Sequence, residues 1–330
     1  MYYAYRLTDS PTQHAYPLAI DGQAQWQPVP DAKLSLWRTA ITLPAVPEKH
    51  IVVPSFSMQG GNYQYQVALT DTNTDLSSRL NPLLTSTEQL AQWPEKYSDL
   101  STVSDEIDCW HSKVELTNTE FEITVESEYQ PQHYLLVLSI RALELECPFS
   151  AMKSISLDQP AAFSQMTAEA KLRNRICSPT SLAMVHTTLT GQTAFSEIVE
   201  QCYDPASKAY GKWPLAIKAA NTLNLAGAVE SLPSWASVSD ILNKGWIVVC
   251  SIRFDKNSLT GAPLKQSGGH LVVLYGIDLT DSEEPSVLVM DPAGKTQSEV
   301  PRRYKLAEFS RAWLDYRGGG YILNLQQPVY

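Results

Sequence analysis

Three residues far apart in the chain, Cys177, His270 and Asp291, have the types and local settings that nucleophilic acyl chemistry needs. Cys177 heads the stretch RNRICSPTSLAMVHTTLTG, residues 173–191. Ser178 is the expected N-cap of the helix that follows. Pro179 suits a first helical position, where an N–H would be unpaired anyway, and Gly191 is the expected stop. Leu182, Met184, Val185 and Leu189 give that helix an apolar side to pack against a core. A thiol at such a helix start meets unpaired backbone N–H groups and the positive end of the helix dipole, which favour thiolate over thiol. A lone cysteine elsewhere is ordinarily a small buried hydrophobe, and Cys109, Cys147, Cys202 and Cys250 are read that way.

Of the six histidines, His270 alone opens an apolar strand, HLVVLYGI, with a carboxylate in reach. The acid-rich turn at 278–285 and the run SVLVM carry the chain to Asp291. A hairpin centred near residues 280 and 281 sets His270 directly opposite Asp291 at its open end. An imidazole there can draw the proton from a thiol, while the carboxylate fixes its tautomer and stabilises the imidazolium. Donors for a developing oxyanion are the Cys177 backbone N–H and the Gln165 side-chain amide. His14, His50, His111, His133 and His186 have no comparable partner in the pattern. Cys109 and His111 flank Trp110 with the spacing of one strand face, but two ligands do not make a metal site.

These residues need elements to hold them. At 330 residues, 44% hydrophobic and 18% charged, the chain can build two domains with real cores. Five widely spaced cysteines, with no C-x-x-C pair, indicate neither a disulfide framework nor a zinc ribbon. Residues 1–150 hold 8 Lys+Arg against 19 Asp+Glu and residues 151–330 hold 17 against 16, so the net charge of −10 resides in the first half. An acidic first half repels phosphate, which argues for two units and against nucleic-acid binding. The start MYYAYRLTDSP lacks a signal-peptide pattern, and no run approaches the roughly 18 apolar residues of a membrane span. The expected location is therefore the cytoplasm.

Residues 1–150 read mostly with period two. Tyr63, Tyr65, Val67 and Leu69 form one row, Phe121, Ile123 and Val125 a second, and Tyr134, Leu136, Leu138 and Ile140 a third. Leu34, Leu36 and Ile41 to Leu43 suggest another strand, with turns at Gly60-Gly61-Asn62 and Asp71 to Asn73 and a short helix at Ser86 to Trp93. Strands recurring without a long helix indicate an antiparallel β-sandwich. Trp26, Trp37, Trp93 and Trp110 fall in it, either as core or as a glycan- or peptide-binding face. The pattern breaks between Glu146 and Thr167, which sets the boundary near residue 150. Beyond Gly191 the expected elements are helices at Ser196–Tyr203, Trp213–Asn224 and Ser237–Lys244, and a buried strand at Trp246–Phe254. A long polar loop follows over Asp255–Gly269, then the hairpin, a helix at Leu306–Tyr316 and a last strand near 319–325.

Five segments together, CSPTSLAMV, YGKWP, GAP, GGHLVVLYG and DPAG, in this order over about residues 160–320, resemble the papain-fold bacterial cysteine peptidases related to the bacteriocin-processing, double-glycine leader peptidases. The resemblance implies Cys177 as nucleophile, His270 as general base and acid, Asp291 as its orienter, and Gln165 as the upstream glutamine of the oxyanion hole. The family's glutamine often lies closer to its cysteine than the twelve residues found here, so AEAKLRN, 168–174, must fold back. Transporter-linked members also carry membrane and ATPase segments, for which the sequence has no counterpart, so cleavage after Gly-Gly is not carried over.

The resulting expectation is an α+β protein: an N-terminal acidic antiparallel β-sandwich over 1–150, followed by a papain-like cysteine peptidase domain over 151–330. It would hydrolyse peptide bonds through a thioester on Cys177, with no metal or organic cofactor, on a peptide or protein substrate. Two alternatives stay open at this point. One is a catalytically silent binding or scaffold protein whose sandwich recognises a glycan or protein; the other is a cysteine amidase or acyltransferase on the same triad.

Overall fold

A computed structural model of the chain describes residues 2–11, 15–30, 35–59, 63–80, 83, 97–106, 108–149 and 152–326. The helix expected at Ser86 to Trp93, the turn at Gly60-Gly61-Asn62, Leu34 and His14 lie outside these residues. The fold is mixed and strand-rich with antiparallel pairing, and the chain divides into two compact units. One comprises Met1–Ala15 and Ala19–Leu143, the other Tyr16–Leu18 and Glu144–Pro328.

The described strands of the first unit are β1 (Tyr2–Leu7), β2 (Gln27–Pro28), β3 (Leu36–Thr42), β4 (His50–Met58), β5 (Gln64–Asp71), β6 (Ser77–Arg79), β7 (Tyr97–Ser98), β8 (Val103–Asp105), β9 (Trp110–Ser112), β10 (Thr119–Glu126) and β11 (Tyr134–Ala142). They form two sheets, β1-β11-β4-β9-β8 and β2-β3-β10-β5-β6-β7. In β10 the alternation is clean, with Phe121, Ile123 and Val125 buried between half-buried neighbours. In β11 it is not: Leu135 and Val137 are as buried as Leu136 and Leu138, so the strand is covered on both faces where the sequence suggested one. β4, HIVVPSFSM, is likewise buried throughout, Ser55 and Ser57 included, so burial on both faces does not follow an alternation of apolar and polar residues. The sheets meet through aromatic side chains, Phe56 edge-on to Tyr65 with centroids 5.3 Å apart and Trp110 to Phe121 at 6.5 Å. Trp26 and Trp110 are core residues and Trp37 is half-buried.

The second unit contains β12 (Ile155–Ser156), α1 (Cys177–Thr190), α2 (Phe195–Gln201), α3 (Trp213–Thr222), β13 (Leu225–Ser231), α4 (Trp235–Asn243), β14 (Ile247–Phe254), β15 (Ser267–Asp278), β16 (Ser286–Met290), β17 (Pro301–Lys305), α5 (Leu306–Ala312) and β18 (Gly319–Leu325). Its sheet runs β13-β18-β14-β15-β16-β17, and β12 adds to β15 beyond the end of β14. α1 lies against β15 and is buried on all sides from Ser178 to His186 rather than along one stripe, while Leu189 is only half-buried. Its N-cap is Ile176, whose apolar side chain makes no cap bond, while Ser178, inside the helix, shares a 2.8 Å hydrogen bond with the Tyr321 hydroxyl. Gly191 closes the helix in the left-handed conformation, φ 72°, as only glycine does without strain. Three residues from near the chain start complete this unit. The Tyr16 hydroxyl donates to the buried Glu230 carboxylate at 2.8 Å, its ring stands edge-on to Trp246 at 5.4 Å, and Lys244 donates to the Pro17 carbonyl. No helix among the described residues is long and apolar enough to cross a membrane.

β13 is absent from the sequence-based expectation, which has no strand between the helices at Trp213–Asn224 and Ser237–Lys244; Gly227 is the middle of a fully buried strand. A Cβ at Gly227 would lie 2.3 Å from the Ile322 carbonyl oxygen and 2.6 Å from a Leu323 methyl, so glycine is required for β13 to pair with β18. Gly227→Ala is expected to destabilise the fold by about 1–3 kcal/mol, read as a lower urea midpoint at unchanged slope.

Candidate active site

Cys177 is the first residue of α1, so its sulfur sits among backbone N–H groups that the helix leaves unpaired. Cys177 as a whole residue is half-buried. Burial raises its pKa, but a hydrogen bond and charge from His270, with backbone N–H groups of Leu271 and Ser178 directed at the sulfur, hold it below the ordinary thiol value. The same strand residue serves the helix twice: while the Leu271 N–H meets Cys177, its carbonyl accepts the Ser181 hydroxyl at 3.0 Å. One turn of α1 thus takes the place that a neighbouring strand would occupy on β15, and Ser178 on Tyr321 ties it to β18 as well.

His270 lies within β15, three residues after its start at Ser267. Its Nε2 is 2.8 Å from Asp291 Oδ1, with exposures of 2% and 1%, which shield the pair from bulk water. With Nε2 engaged there, Nδ1 is the ring nitrogen left for Cys177. The pair does not arise from the simple register. The loop between β15 and β16 is centred later than residues 280 and 281, and the ladder runs Val273↔Met290, with an irregularity between Leu274 and Gly276. Continuing that register sets Asp291 against Val272, not His270. The contact forms because β16 ends at Met290 and the chain turns, the Gly294 N–H returning to the Asp291 carbonyl at 3.2 Å and the Ala293 N–H donating to Oδ1 at 2.9 Å. Oδ2 receives the Tyr304 hydroxyl of β17 at 2.6 Å.

The electrostatics follow from these contacts. Burial raises the Asp291 pKa, yet the His270 charge, its hydrogen bond, Tyr304 and the Ala293 N–H outweigh it and keep the group ionised. Burial lowers the His270 pKa, and Asp291 and Cys177 reverse the sign and raise it. Thiol lowered and imidazole raised define a window of pH in which both carry charge, a thiolate–imidazolium pair. Tyr304 is held protonated by burial and by the carboxylate beside it.

Gln165 begins a short 3-10 turn, Gln165–Thr167, capped by Ser164, whose hydroxyl also donates to the Gly294 carbonyl. Its backbone N–H donates to the Pro292 carbonyl at 2.9 Å and its side-chain Nε2 to the Arg173 carbonyl at 2.6 Å. The residue is therefore tethered between the turn after Asp291 and the segment four residues before Cys177. Residues 168–174 do fold back, through bonds from Leu172 and Arg173 to the Glu169 carbonyl. Gln165 Oε1 is buried without a hydrogen-bond partner.

The remaining candidates are not brought to this site. Burial pushes Cys202 up to about 12 and Cys250 well above the ordinary thiol value, so both stay thiols. Cys109 and Cys147 are buried too. His186 is buried in α1 with its pKa lowered by burial, and His133 Nδ1 lies 3.0 Å from Ser10 Oγ. His111 does have a carboxylate nearby, Glu106 at 3.6 Å, contrary to the sequence pattern. Sequence reasoning passed over Ser181 and Tyr304. Ser181 is one turn from Cys177, and Tyr304 is a buried residue between exposed Arg303 and Lys305 in PRRYK, a strand pattern too short to stand out. Ser181→Ala, which removes the hydroxyl from the Leu271 carbonyl, is expected to cost about 1–3 kcal/mol of unfolding free energy in urea.

Residues 159–321 match the model of the Peptidase_C39 like family. The chain is also similar to a solved structure, the crystal structure of a double glycine motif protease from an AMS/PCAT transporter in complex with the leader peptide, with 16% sequence identity. That alignment has a TM-score of 0.33 and covers 53% of this chain and 99% of that one. No curated protein matches the chain. The matched stretch lies in the second unit and includes Gln165, Cys177, His270 and Asp291.

Proposed function

We propose that the protein is a cysteine peptidase of papain-like arrangement, hydrolysing peptide bonds through Cys177, His270 and Asp291. The observation that carries this reading is the buried chain of contacts from the Cys177 thiol through the His270 ring to the Asp291 carboxylate, at the start of a helix. The family match over residues 159–321 supports the same class.

In the first step the Cys177 thiolate attacks the scissile carbonyl carbon, forming a C–S bond and placing negative charge on the carbonyl oxygen. The Cys177 backbone N–H and the second hydrogen of Gln165 Nε2, the first being taken by Arg173, are the proposed donors to that oxyanion. The His270 imidazolium gives its proton to the leaving amine as the C–N bond breaks, leaving a thioester and a neutral imidazole. Water, deprotonated by His270, then attacks the thioester. The acid product leaves and the thiolate–imidazolium pair is restored. Asp291 stays ionised throughout and holds the ring.

Residues 1–150 are proposed as an accessory β-sandwich domain and 151–330 as the peptidase domain, residues 16–18 and the stretch from Glu144 onward contributing to the latter. The sandwich would recognise a glycan or protein that brings substrate to the site. One contact favours the rival reading of a silent scaffold, namely the Arg173 carbonyl that already occupies part of the Gln165 amide.

A peptide library incubated with the full chain decides between them. Cleavage that disappears in Cys177→Ala is expected; no cleavage by the wild type, at any pH at which Cys177 is alkylated, would support the scaffold. Among cleaved peptides, Gln165→Ala is expected to lower kcat roughly 100- to 1,000-fold with little change in KM, measured by initial rates.

A further inference from the structure

We propose that Tyr304 is a positioning residue of this site, its hydroxyl holding the buried Asp291 carboxylate by Oδ2 in the orientation that leaves Oδ1 to His270. The inference rests on the peptidase reading and names a fourth member of the site. Asp291 is 1% exposed, so each of its oxygens depends on protein donors. Oδ1 has two, the His270 ring and the Ala293 N–H, whereas Oδ2 has the Tyr304 hydroxyl at 2.6 Å, the shortest of the three. Without that donor the carboxylate is under-solvated on one side and free to rotate about its last bond, taking the His270 ring with it.

The position of Tyr304 suits this task. β17 pairs with β16 in unbroken register from Ser286↔Lys305 to Met290↔Pro301, so the strand bearing Tyr304 is fixed to the strand that ends beside Asp291. The ring is stacked on Phe309 of α5, with centroids 6.1 Å apart and planes 17° apart. Tyr304→Phe therefore removes the hydroxyl and keeps the packing. The ionisable groups that act on the carboxylate are His270 on β15 and Tyr304 itself; Cys177 on α1 acts in turn on His270, and the Arg302 charge reaches the Tyr304 hydroxyl from the same strand.

The sign follows. Loss of a donor to an ionised, buried carboxylate makes it easier to protonate, and a protonated or misdirected Asp291 no longer holds the imidazolium that keeps Cys177 ionised. The thiolate then survives only to a higher pH on the acid side. The test is the rate of Cys177 alkylation by iodoacetamide against pH, followed by mass spectrometry on the full chain. The acid limb is expected about one pH unit higher in Tyr304→Phe than in the wild type, and kcat for a cleaved peptide about tenfold lower with KM unchanged. The limb is read from the shape of the profile, so partial loss of folded protein does not move it. Adding Tyr304→Phe to Asp291→Asn is expected to change neither quantity further. An acid limb that stays in place or moves down in Tyr304→Phe, while wild-type Cys177 remains hyper-reactive, overturns the role of Tyr304 and leaves the peptidase reading standing. Ordinary Cys177 reactivity in the wild type overturns both.

Discussion

The site depends on the backbone of one residue. Leu271, next to His270 in β15, turns its N–H to the Cys177 sulfur and its carbonyl to the Ser181 hydroxyl, so the first turn of α1 docks on the strand as a missing ladder partner would. Cys177 and His270 are thereby referred to adjacent residues of one strand, and their separation is set by main-chain geometry rather than by long side chains. The complete burial of α1 from Ser178 to His186 follows from the same docking: a helix seated this deeply in the unit has no solvent side.

Burial works against every charge in the site, and partners decide the outcome. An isolated buried imidazole would be neutral, an isolated buried carboxylate protonated and a buried thiol inert, as Cys202 and Cys250 are. What distinguishes Cys177 from them is a base within hydrogen-bond reach, and what distinguishes His270 from His186 is a carboxylate held ionised by three donors. Each group is charged because the next one is, so removal of any link is transmitted along the chain of contacts.

Much of this was legible in the amino-acid sequence because it rests on local signals. The apolar run after Cys177, Gly191 as its stop, and the isolated His270 and Asp291 flanking two apolar strands are properties of short segments. The rest depends on three-dimensional pairing. Ser178 reads as an N-cap, yet the helix begins at the cysteine itself, and the Ser178 hydroxyl bonds Tyr321, 143 residues away. The register of β15 and β16 is displaced by an irregularity near Tyr275 that no residue type announces, and the contact of Asp291 with His270 comes from the turn after Met290. β13 is hidden because Gly227 resembles a breaker, although what demands glycine is the Ile322 carbonyl against it. That Tyr16 to Leu18 join the second unit is invisible to any local pattern, since their partners, Glu230, Lys244 and Trp246, are remote in the chain.

The central claim is that Cys177 is a thiolate stabilised by His270, and its reactivity against pH tests this most directly. Alkylation by iodoacetamide, followed residue by residue in the folded chain, is predicted to label Cys177 rapidly well below pH 8.5, the value of an unperturbed thiol, and ahead of Cys202. His270→Ala should return Cys177 to ordinary behaviour. Labelling of Cys177 that begins only near pH 8.5, or that is indifferent to His270, would contradict the account.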